Sequence, residues 1–146
     1  MVMYMKTSEE ILSSILKTTQ MGQVGIRCVM EYPVSPDLRR ALKSQLKEYD
    51  SIESEAHAIA SRRGWQVPEL SSGVRMMSTM MSRMNLAASV SDSKIAGMMI
   101  QGNTRGMIKT GKNQNHSTSR DEAVNALARK LLEKEQENIQ QMKPFL

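Results

Sequence analysis

The sequence predicts an all-α protein, on three observations. Aromatic residues are only 3% of the chain, one Trp, three Tyr and one Phe, so residues that favour β-sheet are scarce. Met numbers 14 and stands among Leu, Ala, Lys, Glu and Gln, all good helix formers. Apolar residues recur at three- and four-residue spacing along four long stretches. At 146 residues, 40% apolar and 24% charged, the chain reads as a single domain over residues 1–146, too apolar for disorder.

The first helix starts at Thr7-Ser8-Glu9-Glu10, a capping box in which the Thr7 hydroxyl and the Glu10 carboxylate each satisfy a free backbone N–H. Its inner face is Leu12, Leu16, Thr19, Gln23, Ile26 and Met30, and Pro33 and Pro36 end it. The second helix opens at Ser35-Pro36-Asp37, with an N-cap, a proline at the first helical position and an acid in the first turn. Its seam is Leu38, Leu42, Gln45, Tyr49, Ile52, Ala56 and Ile59, and Gly64 after Arg62-Arg63 is a C-terminal stop.

Trp65 to Gly73 reads as a connection, and Val74 to Leu86 as a short Met-studded helix. Ser91-Asp92 starts a third long helix with Ile95 or Ala96, Met99, Asn103, Gly106 and Thr110 inward, dissolving from Gly111 into a polar loop. Ser119 and Glu122 have the spacing of a second capping box. The last helix runs to Pro144 with Val124, Ala128, Leu131, Glu135, Asn138, Met142 and Phe145 inward. Helices of about 24 residues are ~36 Å long. A hairpin, a long crossover containing the Met-rich helix and a second pair suit an antiparallel four-helix bundle.

Among the inward positions, Gln23, Tyr49, Asn103, Glu135 and Asn138 carry groups that do not belong in a plain apolar core. Gln23 and Asn103 are flanked by glycines, Gly22 and Gly25 on one helix and Gly102 and Gly106 on the other. Helical glycine costs ~1 kcal/mol against alanine, so the four imply close backbone approach at one level. An unpaired buried polar group costs ~1–3 kcal/mol. The five side chains are therefore expected to form one closed network.

On these residues the chain resembles the ferritin-like superfamily, and most of all a family of small bacterial bundles of unknown function within it. The resemblance implies a di-metal site with one Glu from each of two helices and a Glu-x-x-His from each of the other two. The family's two glycine-flanked Glu positions fall on Gln23 and Asn103, one Glu-x-x-His falls on Glu135 and Asn138, and the other on Glu53 and Ala56. All four ligand groups are thus altered. Neutral amides are poor substitutes for anionic oxygens on iron, so no cofactor is expected, nor any complete catalytic constellation. The resemblance is consistent with a structural or interaction protein, such as a coat, stress or scaffold protein of a bacterial cell.

Other groups have alternative uses. Asp50, Glu53 and His57 follow at helical spacing as a residual half-site for one metal ion, or as a solvated rim with a Glu53–His57 contact. His116 lies in the polar loop and receives no role. Cys28, the single cysteine, reads as a buried inert thiol and fits a reducing, cytoplasmic setting. Met76, Met77, Met80, Met81 and Met84 share one helical face, supplemented by Met98, Met99 and Met107. Thioethers can hold Cu(I), yet such a face more often packs on the bundle or on a second subunit, and a homodimer is expected.

The net charge is +5, and residues 93–120 supply Lys94, Arg105, Lys109, Lys112 and Arg120 with no acid. A second basic group is Arg39, Arg40, Lys43 and Lys47. Binding of a nucleic acid or other polyanion is the alternative function, not favoured because aromatics for base stacking and a reader motif are lacking. The start, Met1-Val2-Met3-Tyr4-Met5-Lys6, lacks the order of a secretion signal, and no run approaches the ~18 apolar residues of a membrane helix.

Overall fold

The structure, a computed structural model, describes residues 5–146; the first four residues of the N-terminal segment read above lie outside them. It is all-α. The helices are α1 (Ser8–Val29), α2 (Pro36–Arg63), α3 (Ser72–Leu86), α4 (Asp92–Asn115) and α5 (Glu122–Met142), followed by one 3₁₀ turn at Lys143–Phe145. No described helix is long and apolar enough to cross a membrane.

The strongest boundary signals are realised by the atoms expected. Thr7 and Glu10 close a capping box at α1, and Ser35 caps α2 with Pro36 at its first position. Gly64 ends α2 at φ 68°, a left-handed conformation that a side chain disfavours. Two boundaries differ from expectation. The N-cap of α5 is Asp121, whose carboxylate accepts from the N–H groups of Ala123 and Val124, and not Ser119. Ser119 Oγ is occupied by Ser8 Oγ at 2.7 Å. α4 continues through Gly111 to Asn115 because Thr110 and Asn113 are buried, and Asn113 Nδ2 donates to Ser14 Oγ at 2.6 Å. Tertiary burial outweighs the local loop propensity of Gly-Lys-Asn-Gln-Asn.

The four long helices surround one core. α1 lies against α2 and α4, and α5 against α2 and α4. Cross-helix pairs give the directions. Ser14 meets Asn113 while Ser35, just past α1, meets Asp92, so α4 runs opposite to α1. Arg63 meets Asp121 while Gln45 meets Gln141, so α5 runs opposite to α2. The order is up, down, down, up. A connection that returns along the length of the helices is then required between α2 and α4, and α3 supplies it by lying outside on α1.

The core contains Leu12, Leu16, Ile26, Leu38, Leu42, Ile52, Ile95, Leu131 and Met142, all essentially solvent-free. Each fully buried Leu or Ile contributes roughly 1.5–3 kcal/mol over an exposed one. Backbone hydrogen bonds from Lys6 N to His116 O (2.7 Å) and from Thr118 N to Lys6 O (2.9 Å) pin the segment before α1 to the α4–α5 loop.

Candidate functional site

The polar seam residues are buried as expected, but they divide into three groups. In the centre, the Tyr49 hydroxyl donates to Asn103 Oδ1 at 2.8 Å and accepts from Asn138 Nδ2 at 3.5 Å. Asn103 Nδ2 donates to the Met99 carbonyl one turn back. Burial, followed by the nearby Glu135, pushes the Tyr49 phenol well above its ordinary value, so it stays a donor.

Glu135 does not join that cluster. Its Oε1 lies 3.1 Å from Thr110 Oγ1, which lies 2.8 Å from the Gly106 carbonyl, and its Oε2 has no partner among the described residues. Burial pushes its pKa up to about 8, opposed by the Thr110 hydrogen bond, so near neutral pH the group is mostly protonated. A neutral carboxyl can donate to Thr110, which then donates to Gly106.

Gln23 also departs from the expected network. Its Nε2 donates to Asp50 Oδ1 at 2.9 Å and to Glu53 Oε1 at 3.3 Å, both on α2. A hydrogen bond to a carboxylate is roughly twice as strong as one between neutral groups, so the amide turns to the acids and not to Asn103. Ala56, at the altered His position, is a fully buried core residue.

The expected close backbone approach is not found, and only two of the four glycines are crowded at all. A Cβ on Gly22 would come 2.7 Å from the Tyr49 ring, and one on Gly106 would overlap the Glu135 carboxylate. Gly102 meets nothing within 4 Å, and Gly25 only Met99 Cε at 3.8 Å. The close approach is of side chain to helix, not of backbone to backbone.

The stripe Asp50, Glu53, His57 is rearranged by a residue in the crossover. His57 Nε2 lies 2.7 Å from Glu69 Oε1, and a Glu53 carboxylate oxygen stands within 4.8 Å of both. Buried Gln20 donates to Glu53 (3.0 Å) and Glu69 (2.7 Å) and accepts from the Leu70 N–H (2.9 Å). The His57 hydrogen bond holds the Glu69 carboxyl below its ordinary value. Ligand atoms of Glu53, His57 and Glu69 gather within 4.8 Å, whereas Asp50 stands outside that group. This cluster fastens the crossover to α1. Gln20 is recoverable from its spacing before Gln23; Glu69 sits in an irregular segment that offers no pattern.

Tested against a di-metal centre, the central donor set does not fit. At that level stand one phenol, two amides and a single carboxyl, with the amides and phenol already engaged. Two iron ions need several anionic oxygens, and their charge is not offset here.

The α3 methionines do not pack on the protein's own core. Met76, Met77, Met80, Met81 and Met84 are 59–70% exposed, while Leu86 is buried and the Thr79 carbonyl lies against Cys28. Met98 and Met99 are half-buried. Cys28 is buried as expected, and burial raises its thiol pKa. Between α3 and α4, over α1, runs a groove of about 710 Å³. Met77 and Met81 form one wall, Met98 and Met99 the other, and Gly22 and Gly106 thin the floor down to Tyr49 and Glu135.

The basic stretch is only partly assembled. Arg105, Lys109 and Lys112 join Lys6 and His116 around a second, shallower depression, and Lys17 faces Arg105 and Lys109 across the main groove. Lys94 lies at the opposite end of α4, and neither it nor Arg120 lines either hollow. Of the second basic group, Arg39 donates to the Met30 and Tyr32 carbonyls and Arg40 pairs with Asp37, so both are used in the fold.

Comparison with protein-family models, with curated proteins and with solved structures gives no match.

Proposed function

We propose that the protein is a ferritin-like four-helix bundle that has lost its di-metal ligands and works by association, not turnover, as a structural or interaction protein. The observation that carries this reading is the contrast between centre and surface. The phenol and amides at the centre are satisfied by one another, while five methionines on one short helix face solvent. The up, down, down, up helix order with one long connection supports the ferritin-like assignment. Met adapts to irregular partners, and an exposed apolar face of this kind marks interaction surfaces.

Self-association through α3 is the form proposed. Light scattering at micromolar concentration should give a dimer, and Met76→Lys with Met80→Lys should return a monomer of unchanged helicity. A monomeric parent chain rejects the homodimer. Metal analysis of purified protein should find no stoichiometric iron or manganese; tightly held metal rejects the loss of the centre.

A second reading, binding of a nucleic acid or other polyanion, is favoured by the gathering of Lys6, Arg105, Lys109 and Lys112. Salt-sensitive retention of DNA in a gel shift supports it, and no shift at low salt rejects it.

A further inference from the structure

The main groove has an unusual division of chemistry. Its walls are thioethers and its length along α1, from Lys17 to Ile26, is about nine residues, or roughly 14 Å. Its volume of about 710 Å³ falls within the ~300–1,000 Å³ of small-molecule sites. Cations collect at one end only. Lys17 from α1 and Arg105 and Lys109 from α4 line that end, and none forms an ion pair with a described residue. Partial desolvation, then the neighbouring Lys6 and Lys17 charges, lowers the Lys109 pKa, as expected of cations crowded without a counter-charge. At the other end stand Met81, Asn85 and Met98.

From this arrangement we infer that the groove binds a single-chain anionic amphiphile, a medium-length aliphatic carboxylate, with its headgroup among Lys17, Arg105 and Lys109 and its chain along the methionines. Charge complementarity selects this occupant. A second copy is left to the outward face of Met76, Met80 and Met84, which do not line the groove, whereas the groove itself presents three cations and no free carboxylate at one end. A cationic amphiphile would add a fourth positive charge. The floor is compatible with an anion because Glu135, which lies at the level of Arg105 and Lys109, is mostly protonated near neutrality. Thioether walls suit a flexible chain because Met re-packs around it.

The test is calorimetric titration of the full chain with dodecanoate below its micelle concentration at pH 7, with dodecyltrimethylammonium and hexanoate as comparisons. Saturable binding of one equivalent per chain is expected, at least tenfold tighter than either comparison. Arg105→Glu with Lys109→Glu, both exposed, should weaken it at least tenfold while the helical circular dichroism stays unchanged. Gly102→Leu should abolish it, because Gly102 lines the groove and a side chain there meets no core atom. Absence of saturable dodecanoate binding overturns the inference. So does equal affinity for the cation, uptake of many equivalents, or unchanged affinity in either variant. An acidic helical peptide that binds where dodecanoate does not overturns it in favour of a protein partner. Oligomeric state is read separately, so failure here is distinct from failure of the proposed self-association.

Discussion

Gly106 on α4 lies directly against the Glu135 carboxyl on α5, so that the oxygen stands where any Cβ at position 106 would be. Glycine in mid-helix is here the condition for burying the acid. Gly106→Ala should therefore destabilise the fold by ~1–3 kcal/mol, despite alanine's better helix propensity. In the background of Glu135→Ala the same change should cost at least ~1 kcal/mol less, and urea denaturation of the four proteins of the cycle measures the difference. Gly102→Ala, with open space around it, should instead stabilise by up to about 1 kcal/mol.

Glu135 should make stability fall as pH rises. Its pKa in the folded chain is about 8 against an ordinary value of 4.5. Between those values the folded state keeps a proton that the unfolded state gives up. The contribution is fully present below about pH 4.5, declines at up to about 1.4 kcal/mol per pH unit through the window, and is gone above about pH 8. Denaturation midpoints at pH 5, 7 and 9 check this. Glu135→Gln should remove the slope and be the more stable protein at pH 9.

Tyr49→Phe should cost about 1–3 kcal/mol without loss of helix. It removes no ring packing but leaves Asn103 Oδ1, buried, without its donor. A thermal transition unchanged within error would place the central cluster outside the set of interactions that hold the core.

Asp121 has two tasks, capping α5 and pairing with Arg63 at 2.7 Å at the end of α2. The Arg63 hydrogen bond holds its carboxyl below the ordinary value, so its contribution is present at neutral pH and is lost as pH falls below about 4. Asp121→Ala should cost about 1–2 kcal/mol, whereas Asp121→Asn, which keeps a capping oxygen, should cost less. Chemical denaturation of the two variants separates the cap from the ion pair.

Helix positions and inward faces were legible in the sequence because periodicity and capping are local. Every seam residue expected on α2, from Leu38 to Ile59, is buried. What the buried polar groups do was less legible, since it depends on neighbours distant in sequence. Gln23 is inward as its helical spacing requires, but the pull of Asp50 and Glu53 across the hairpin decides its bonds. Glu69 redirects His57 from a segment without periodicity. The groove arises from two helices that hardly touch, α3 and α4, and no single stretch of sequence describes a gap between them.

The two banks of that groove are unequally anchored. α4 is locked to α1 and α5 through the core, whereas α3 rests on α1 and on no other helix to a comparable extent. Its backbone amides should be the first among the helices to exchange with deuterated solvent. One bank is thus built into the interior, while the other is moored to it along α1 and by the single buried anchor Leu86.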